Sequence, residues 1–291
     1  MIKKILLRVI AFCLSFFSPT VLKEIYIASH KIKVFKKSIN DIIIFFVPEK
    51  VKLGDYHLYL NQKDSMVSGG IALGVYERPE IKLFLQLLRP EMTVVDVGAN
   101  IGYYTLLAAQ KVKSVIAFEP DPINFQFLTK NIQQNNCTNV ISHKLAISNE
   151  EKETAFYENP DNFGDRRIYQ FKESQQKNIV TSVIFDNFME KSGITNIDMI
   201  KIDIQGAEGQ ALDGMKKILD QPQLHLLIEF FPEGLRATGY DPVQFLRQLS
   251  DKKFEIYQVN DSHGSLEPVT DFDKFVGQFK GKDYKNLYCK K

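Results

Sequence analysis

Four acidic residues stand at or near the ends of short apolar runs: Asp96 in VDVGANIG, Glu119 in VIAFEPDP, Asp203 in MIKIDIQGAE and Glu229 in LLIEFF. Apolar runs of this length, followed by a turn, read as buried strands, so each carboxylate is expected at the carboxyl end of its strand. A carboxylate held there can accept hydrogen bonds from a ribose diol or an ammonium group, or take a proton from a hydroxyl. In MIKIDIQGAE, strand alternation puts Lys201, Asp203 and Gln205 on one face, and Glu208 opens the next helix. Asp203 is the first choice for an acceptor-facing carboxylate, with Glu208 and Glu229 behind it. Lys201 is read as a partner for one of these acids. A first-turn acid such as Glu208 equally serves the helix dipole. Asp203 and Glu229 could instead hold a divalent cation; the arrangement without a metal is preferred.

The turn after Val97 raises the question of the ligand. Gly98 and Gly102 lie in a turn between a strand and a helix, but the second glycine of the dinucleotide template is replaced by Asn100. A pyrophosphate needs bare backbone at that point. Asparagine tolerates left-handed backbone and adds an amide, which suits a ligand carrying a carboxylate and an ammonium. Asp96 would accept from the ammonium, and Glu119, seventeen residues after Gly102, would take both ribose hydroxyls. Asp121 and the flanking prolines stiffen the second turn, Ala146 marks the end of the third strand, and Tyr103 is a candidate to line the amino-acid end. Adenosine joined to an amino acid is S-adenosylmethionine, and this is the expected cofactor.

These residues require a scaffold that brings strand ends together. From Met92 onward, strands (TVVDVG, SVIAFEP, VISHKLAI, IDMIKIDIQ, LHLLIEF) alternate with helices (YYTLLAAQK, PINFQFLTKNIQQNN, DNFMEKSG, AEGQALDGMKKIL, DPVQFLRQLSDK). Apolar strands alternating with helices imply an α/β fold, a parallel sheet covered on both faces. KFEIYQV and NLYCKK are closing strands with no helical pattern between them, expected to pair antiparallel at one edge. Upstream, DIIIFFVP and YHLYLNQKD read as strands and SGGIALG as a loop. YERPEIKLFLQLLRP reads as a helix opened by Pro79 and stopped by Pro90. Specificity for the methyl acceptor is expected around Tyr76, at Gln205 and in residues 149–180. There Arg166 and Arg167 could grip a phosphate or carboxylate, or simply stand in solvent.

Taken in order, VVDVGANIGYYTLLAA, VIAFEPDP, MIKIDIQGAE and LLIEFFPEGLRATGYDP resemble the FkbM-type S-adenosylmethionine-dependent methyltransferases, from about Tyr76 to the C-terminal strand. DIQGAE fits the family's D-x-E/Q-G-A-E pattern. The resemblance implies a Rossmann-like, seven-stranded class I methyltransferase sheet and, mostly, O-methylation of sugars, glycolipids or other secondary metabolites. Residues 76–291 are then the methyltransferase domain and residues 1–75 an N-terminal extension.

Other chemistries fit less well. Amino-methylating enzymes of nucleic acids carry a D/N-P-P-aromatic tetrapeptide where this chain has DIQG, and no cysteine follows a proline as cytosine C5 chemistry requires. The 291 residues carry a net charge of +2, but residues 1–40 hold eight basic side chains against Glu24, which leaves residues 41–291 at −5. A mildly acidic body argues against a nucleic-acid groove. Three widely separated cysteines fit a reducing compartment, the cytoplasm, and five histidines without HxH or HxxxH spacing give no zinc signature. In residues 1–22, Ile2, Ile5, Leu6, Val9, Ile10, Cys13, Phe16 and Phe17 recur at helical spacing. Such a basic apolar helix either packs on its own domain or lies on an anionic membrane at its inner face. The rival to an enzyme is a non-catalytic S-adenosylmethionine-binding module, membrane-docked as a partner in glycan assembly.

Overall fold

The computed structural model describes residues 40, 43–158, 167, 176–260 and 264–291; the N-terminal arm over 1–22 and Arg166 lie outside these residues. The chain begins with the hairpin β1 (Lys50–Leu53) and β2 (Tyr56–Tyr59), followed by α1 (Val67–Ala72) and α2 (Arg78–Leu87). Next come β3 (Thr93–Val97), α3 (Tyr103–Ala109), β4 (Ser114–Phe118), α4 (Pro122–Gln134) and β5 (Val140–His143). A smaller sheet is made of β6 (Ala146–Ser148), β7 (Lys152–Glu158) and β8 (Gln176–Ile184), in the order β6-β8-β7. The chain continues through α5 (Phe185–Ser192), β9 (Met199–Ile202), α6 (Glu208–Asp213), β10 (His225–Phe230), α7 (Pro232–Ala237) and α8 (Pro242–Asp251). It ends with β11 (Glu255–Val259), β12 (Leu266–Pro268), α9 (Phe272–Val276) and β13 (Lys285–Lys290).

The main sheet has eight strands in the order β12-β11-β13-β10-β9-β3-β4-β5. Strands β10, β9, β3, β4 and β5 run parallel, while β13 inserts antiparallel between β10 and β11. The expected seven strands are all present; the eighth is the three-residue β12 at the edge. KFEIYQV and NLYCKK pair antiparallel as expected, although β13 is interior and a short helix, α9, lies between them.

Strand alternation builds two cores from single segments. Val95, Ile116, Ile200 and Leu226 face one layer with Phe185, Leu212, Leu235 and Phe245. Their neighbours Val94, Val115, Met199 and Leu227 face the other, with Leu58, Phe84, Tyr104 and Leu107. Each fully buried large aliphatic or aromatic side chain contributes about 1.5–3 kcal/mol, so both faces are held firmly. The first strand turns outward to β4 and β5 and the chain then returns to β9 on the other side of β3. The order therefore reverses between β3 and β9, where ligands of open α/β sheets bind.

Three local expectations are corrected. DIIIFFVP is not a strand where it is described: residues 43–46 are helical, because Ile43 and Val47 lie one turn apart on the buried face and the Val47 N–H donates to the Ile43 carbonyl at 3.1 Å. SGGIALG is helix rather than loop: the buried Asp64 carboxylate accepts the N–H groups of Met66, Val67 and Ser68, satisfying the donors that start α1. VISHKLAI is broken after His143: β5 ends the main sheet and β6 joins β8 instead.

Candidate active site

The loops at the carboxyl ends of β3, β4 and β9 open into a cleft of about 350 Å³, within the ~300–1,000 Å³ range of small-molecule sites. Gly98, Asn100, Tyr103, Glu119, Ala146, Asp203, Gln205, Glu229 and Tyr76 all line it, as do Glu77, Tyr104, Lys201, Phe156 and Tyr284.

The first turn is built by hydrogen bonds that reach from one strand end to the next. Gly98 has φ +81°, and a Cβ there would lie 2.0 Å from the Asp203 carbonyl oxygen, so only glycine lets β3 and β9 close at the switch point. Asn100 has φ +53°, the left-handed backbone expected of it, and its N–H donates to Glu119 Oε2 at 2.8 Å. Glu119 Oε1 accepts the Asp121 N–H at 2.9 Å, so one carboxylate clamps both turns. Asp121 lies away from the cleft wall as the N-cap of α4, accepting from Ile123 and Asn124. Gly102 is the N-cap of α3, packed on Leu128. Asp96 lies behind the cleft: Thr105 Oγ1 donates to its Oδ2 at 2.6 Å, while buried Oδ1 has no hydrogen-bond partner among the described residues. Burial pushes the Asp96 carboxyl up, opposed by nearby Lys201 and Thr105.

The second wall gathers charge. Lys201 Nζ lies 3.4 Å from Asp203 Oδ2, and 4.7 Å from the centre of the Tyr104 ring. Burial disfavours its ammonium, but Asp203, Asp96 and Glu77 outweigh that and hold its pKa above the ordinary lysine value. Gln205, in left-handed backbone at φ +55°, donates its amide to Asp203 Oδ1 and to both Glu229 oxygens at 3.0 Å. Burial, then the charges of Asp203, Glu208 and Glu77, hold Glu229 well above the usual carboxylate range. Glu208 does not reach the cleft. Fully buried, it accepts the N–H groups of Ile204 at 3.0 Å and Gly206 at 2.9 Å, and burial pushes it up to about 7. Its work is to fold the 203–208 turn. Gly206 completes that turn against Gly234, whose Cα a Cβ would approach to 2.7 Å, so the segments IDIQGAE and FFPEGLRATG meet backbone to backbone.

Arg167 is neither solvated nor at the cleft: it is 5% exposed, with its guanidinium 4.9 Å from the Phe231 ring centre. Glu77 and Tyr284 are cleft positions that sequence spacing missed. Glu77 precedes α2 in left-handed backbone (φ 38°) and accepts from the Tyr104 hydroxyl at 2.7 Å. No strand-end or turn motif marks it; the Pro79 helix start only places it one turn from a boundary. Among the described residues, no group of three or more His, Cys, Asp or Glu side chains is arranged to hold a metal ion.

The donor set suits a cation bearing a nucleoside. A clamp of backbone and carboxylate faces the turn, and Glu77, Asp203 and Glu229 lie across from it around Lys201, with burial favouring the protonated forms of Glu77 and Glu229, which an added positive charge would oppose. The protein is an S-adenosylmethionine-dependent methyltransferase. The model of the FkbM methyltransferase domain matches residues 96–273, and the chain belongs to that family. It is 26% identical over 187 residues to the hexuronic acid methyltransferase AglP of Haloferax volcanii, covering 63% of this chain and 73% of that protein. It is 24% identical over 177 residues to Methyltransferase 1 of Beauveria bassiana, covering 48% of this chain and 71% of that one. Among solved structures, it is similar to methyltransferase FkbM from Methylobacillus flagellatus KT, with 15% identity, a TM-score of 0.44, and coverage of 88% and 60% of the two chains.

Proposed function

We propose that the protein transfers a methyl group to a hydroxyl of a sugar, glycolipid or other secondary metabolite, with carboxylate assistance. The carrying observation is the convergence of Asp203, Glu229 and Glu77 on one lysine at the switch point. When bound, S-adenosylmethionine supplies a methyl carbon already activated by its sulfonium, so alignment and removal of the acceptor proton are what the protein adds. Glu119 takes the ribose diol, the Gly98–Asn100 turn with Asp96 behind it receives the amino-acid end, and Ala146 and Tyr103 complete the wall. Asp121 and Gly102 hold these turns from outside. Asp203, its oxygens fixed by Lys201 and Gln205, orients the acceptor, and Glu229 stands behind it. Tyr76 and the half-exposed Tyr284 offer ring faces for a sugar at the rim. The relative named a hexuronic acid methyltransferase supports a sugar acceptor.

The test is calorimetry with S-adenosylmethionine, followed by transfer of its labelled methyl group into a saccharide or glycolipid extract. O-methylation yields base-stable label. Label released by mild base would mean a carboxyl ester and overturn the hydroxyl assignment; binding with no transfer to any fraction would favour the non-catalytic module.

Peripheral membrane contact is supported by one further observation. Phe45 and Phe46, just downstream of the basic arm, are 42% and 43% exposed, and an amphipathic basic segment ending in exposed aromatics suits an anionic interface. Among the described residues no helix is long and apolar enough to cross a membrane. Deleting residues 2–22 should weaken association with anionic vesicles; unchanged association dismisses the contact.

A further inference from the structure

Glu77 differs from the other carboxylates of the cleft in the company it keeps. Asp203 is paired with Lys201 and Gln205, and Glu229 shares the Gln205 amide. Among the described residues no cation pairs with Glu77, and its hydrogen bond comes from a neutral phenol, Tyr104 at 2.7 Å. Charged and titratable groups face it from every wall: Tyr76 and Glu80 from its own segment, and Tyr103 and Tyr104 from α3. Lys201 and Asp203 face it from the end of β9, Glu229 from β10, and Tyr284 from the approach to β13. Left-handed backbone is unfavourable for a glutamate, and such strain persists where packing over-determines it, often at functional positions. Here it turns the carboxylate into the cleft beside Tyr76 instead of continuing the helix.

We propose that Glu77 is the proton acceptor of the reaction and is armed by the cofactor: it carries a proton in the free protein, releases it to solvent when a sulfonium cation is bound in the cleft, and is therefore ionised when the acceptor hydroxyl arrives. This rests on the hydroxyl-acceptor function above. In the transfer, the acceptor oxygen forms its bond to the methyl carbon as the carbon–sulfur bond breaks and leaves its electron pair on sulfur, and the acceptor proton passes to a Glu77 oxygen. The sulfide product is neutral at sulfur, so the cleft has lost its extra cation and Glu77 keeps the proton. The protein is thereby returned to its starting state, with one proton released per cycle at cofactor binding.

The electrostatics agree with this cycle. Burial, reinforced by the Asp203 charge and opposed by Lys201 and the Tyr104 hydroxyl, pushes the Glu77 carboxyl up to about 7. A positive charge placed beside such a group favours its ionised form. An acid poised near the operating pH is also the most effective proton acceptor.

The test needs no acceptor. Calorimetry of S-adenosylmethionine and of S-adenosylhomocysteine, which lacks the charged methyl, is run in buffers of different ionisation heat at several pH values. Roughly half a proton should be released per S-adenosylmethionine near pH ~7, more below it and little above pH ~8.5, with no matching release for the sulfide. Glu77→Gln keeps the side-chain shape and should abolish the difference between the two ligands. Tyr104→Phe removes a donor to the ionised carboxyl and should move the release to higher pH, a readout that stands even if Glu77→Gln does not fold. Equal release with both ligands, or a difference that survives Glu77→Gln, overturns the proposal. A correct proton count combined with methylation of something other than a hydroxyl would sink the function above and leave the cation-armed carboxylate standing.

Discussion

The two walls of the cleft solve opposite problems. On the β3–β4 side Glu119 accepts backbone N–H groups from Asn100 and Asp121, so its charge is spent on shape. On the β9–β10 side Asp203, Glu229 and Glu77 crowd around Lys201, and burial and mutual repulsion hold Glu77 and Glu229 toward their protonated forms. One wall is a mould fixed by hydrogen bonds; the other, as proposed above, is an electrostatic device whose proton count depends on what is bound. A hydrogen-bonded mould suits recognition of a nucleoside by fit, whereas a cluster of protonatable acids suits positive charge and can move a proton. The cofactor has both a nucleoside and a sulfonium, and in the proposed function the walls divide the task accordingly.

The sharpest way to break this contrast is Lys201→Met. It strips the acid wall of its cation and leaves the largely buried Asp203 and Asp96 with neutral donors only, at an expected cost of about 3–5 kcal/mol in denaturant unfolding. A loss under about 1 kcal/mol would show that the wall tolerates its charge by other means. Gly98→Ala attacks the mould: left-handed backbone and a 2.0 Å clash with the Asp203 carbonyl should cost about 2–3 kcal/mol and abolish cofactor binding together. Binding retained in the face of that clash would mean the strand ends can separate freely.

Glu119→Ala should weaken S-adenosylmethionine binding roughly 10–100-fold by calorimetry, since a charge-assisted hydrogen-bonding group is removed. An unchanged affinity would remove Glu119 from the cofactor site and leave it as a turn clamp alone. The smallest effect concerns pH. The folded state holds protons on Glu77 and Glu208 up to about 7, whereas an ordinary glutamate loses its proton near 4.5. The unfolded chain releases those protons first, so their contribution to stability is full below about 4.5 and is lost as pH rises toward about 7. The stability difference between wild type and Glu77→Gln should therefore drift steadily across that window, with the variant gaining relative to wild type as pH rises. A flat difference would mean Glu77 is not protonated in the folded protein.

The mould was far easier to foresee than the acid wall. Asp96, Gly98, Asn100 and Glu119 lie within 24 residues and on two successive strands, so short-range spacing places them at adjoining strand ends. Asp203 and Gln205 were legible for the same reason. Glu208 was misplaced because a first-turn acid on a helix can point outward or fold back, and here the Ile204 and Gly206 N–H groups draw it inward. Arg167 was read as a loop cation, yet Phe231, far along the chain, supplies the ring that buries it. SGGIALG read as a loop because glycine disfavours helix, an effect outweighed by Asp64 satisfying the first N–H groups of α1.

The sequence by itself determined the alternation of strands and helices, the two-sided burial of the parallel strands and the turn chemistry at Gly98 and Asn100. All of these follow from side-chain periodicity and backbone preference over a few residues. Tertiary structure alone decided that β6 leaves the main sheet, that β13 enters between β10 and β11, and that Glu77 arrives opposite Asp203. Those outcomes depend on which surfaces meet after the strands assemble, and on how buried charges are shared among segments more than a hundred residues apart. Neither quantity is written in local spacing.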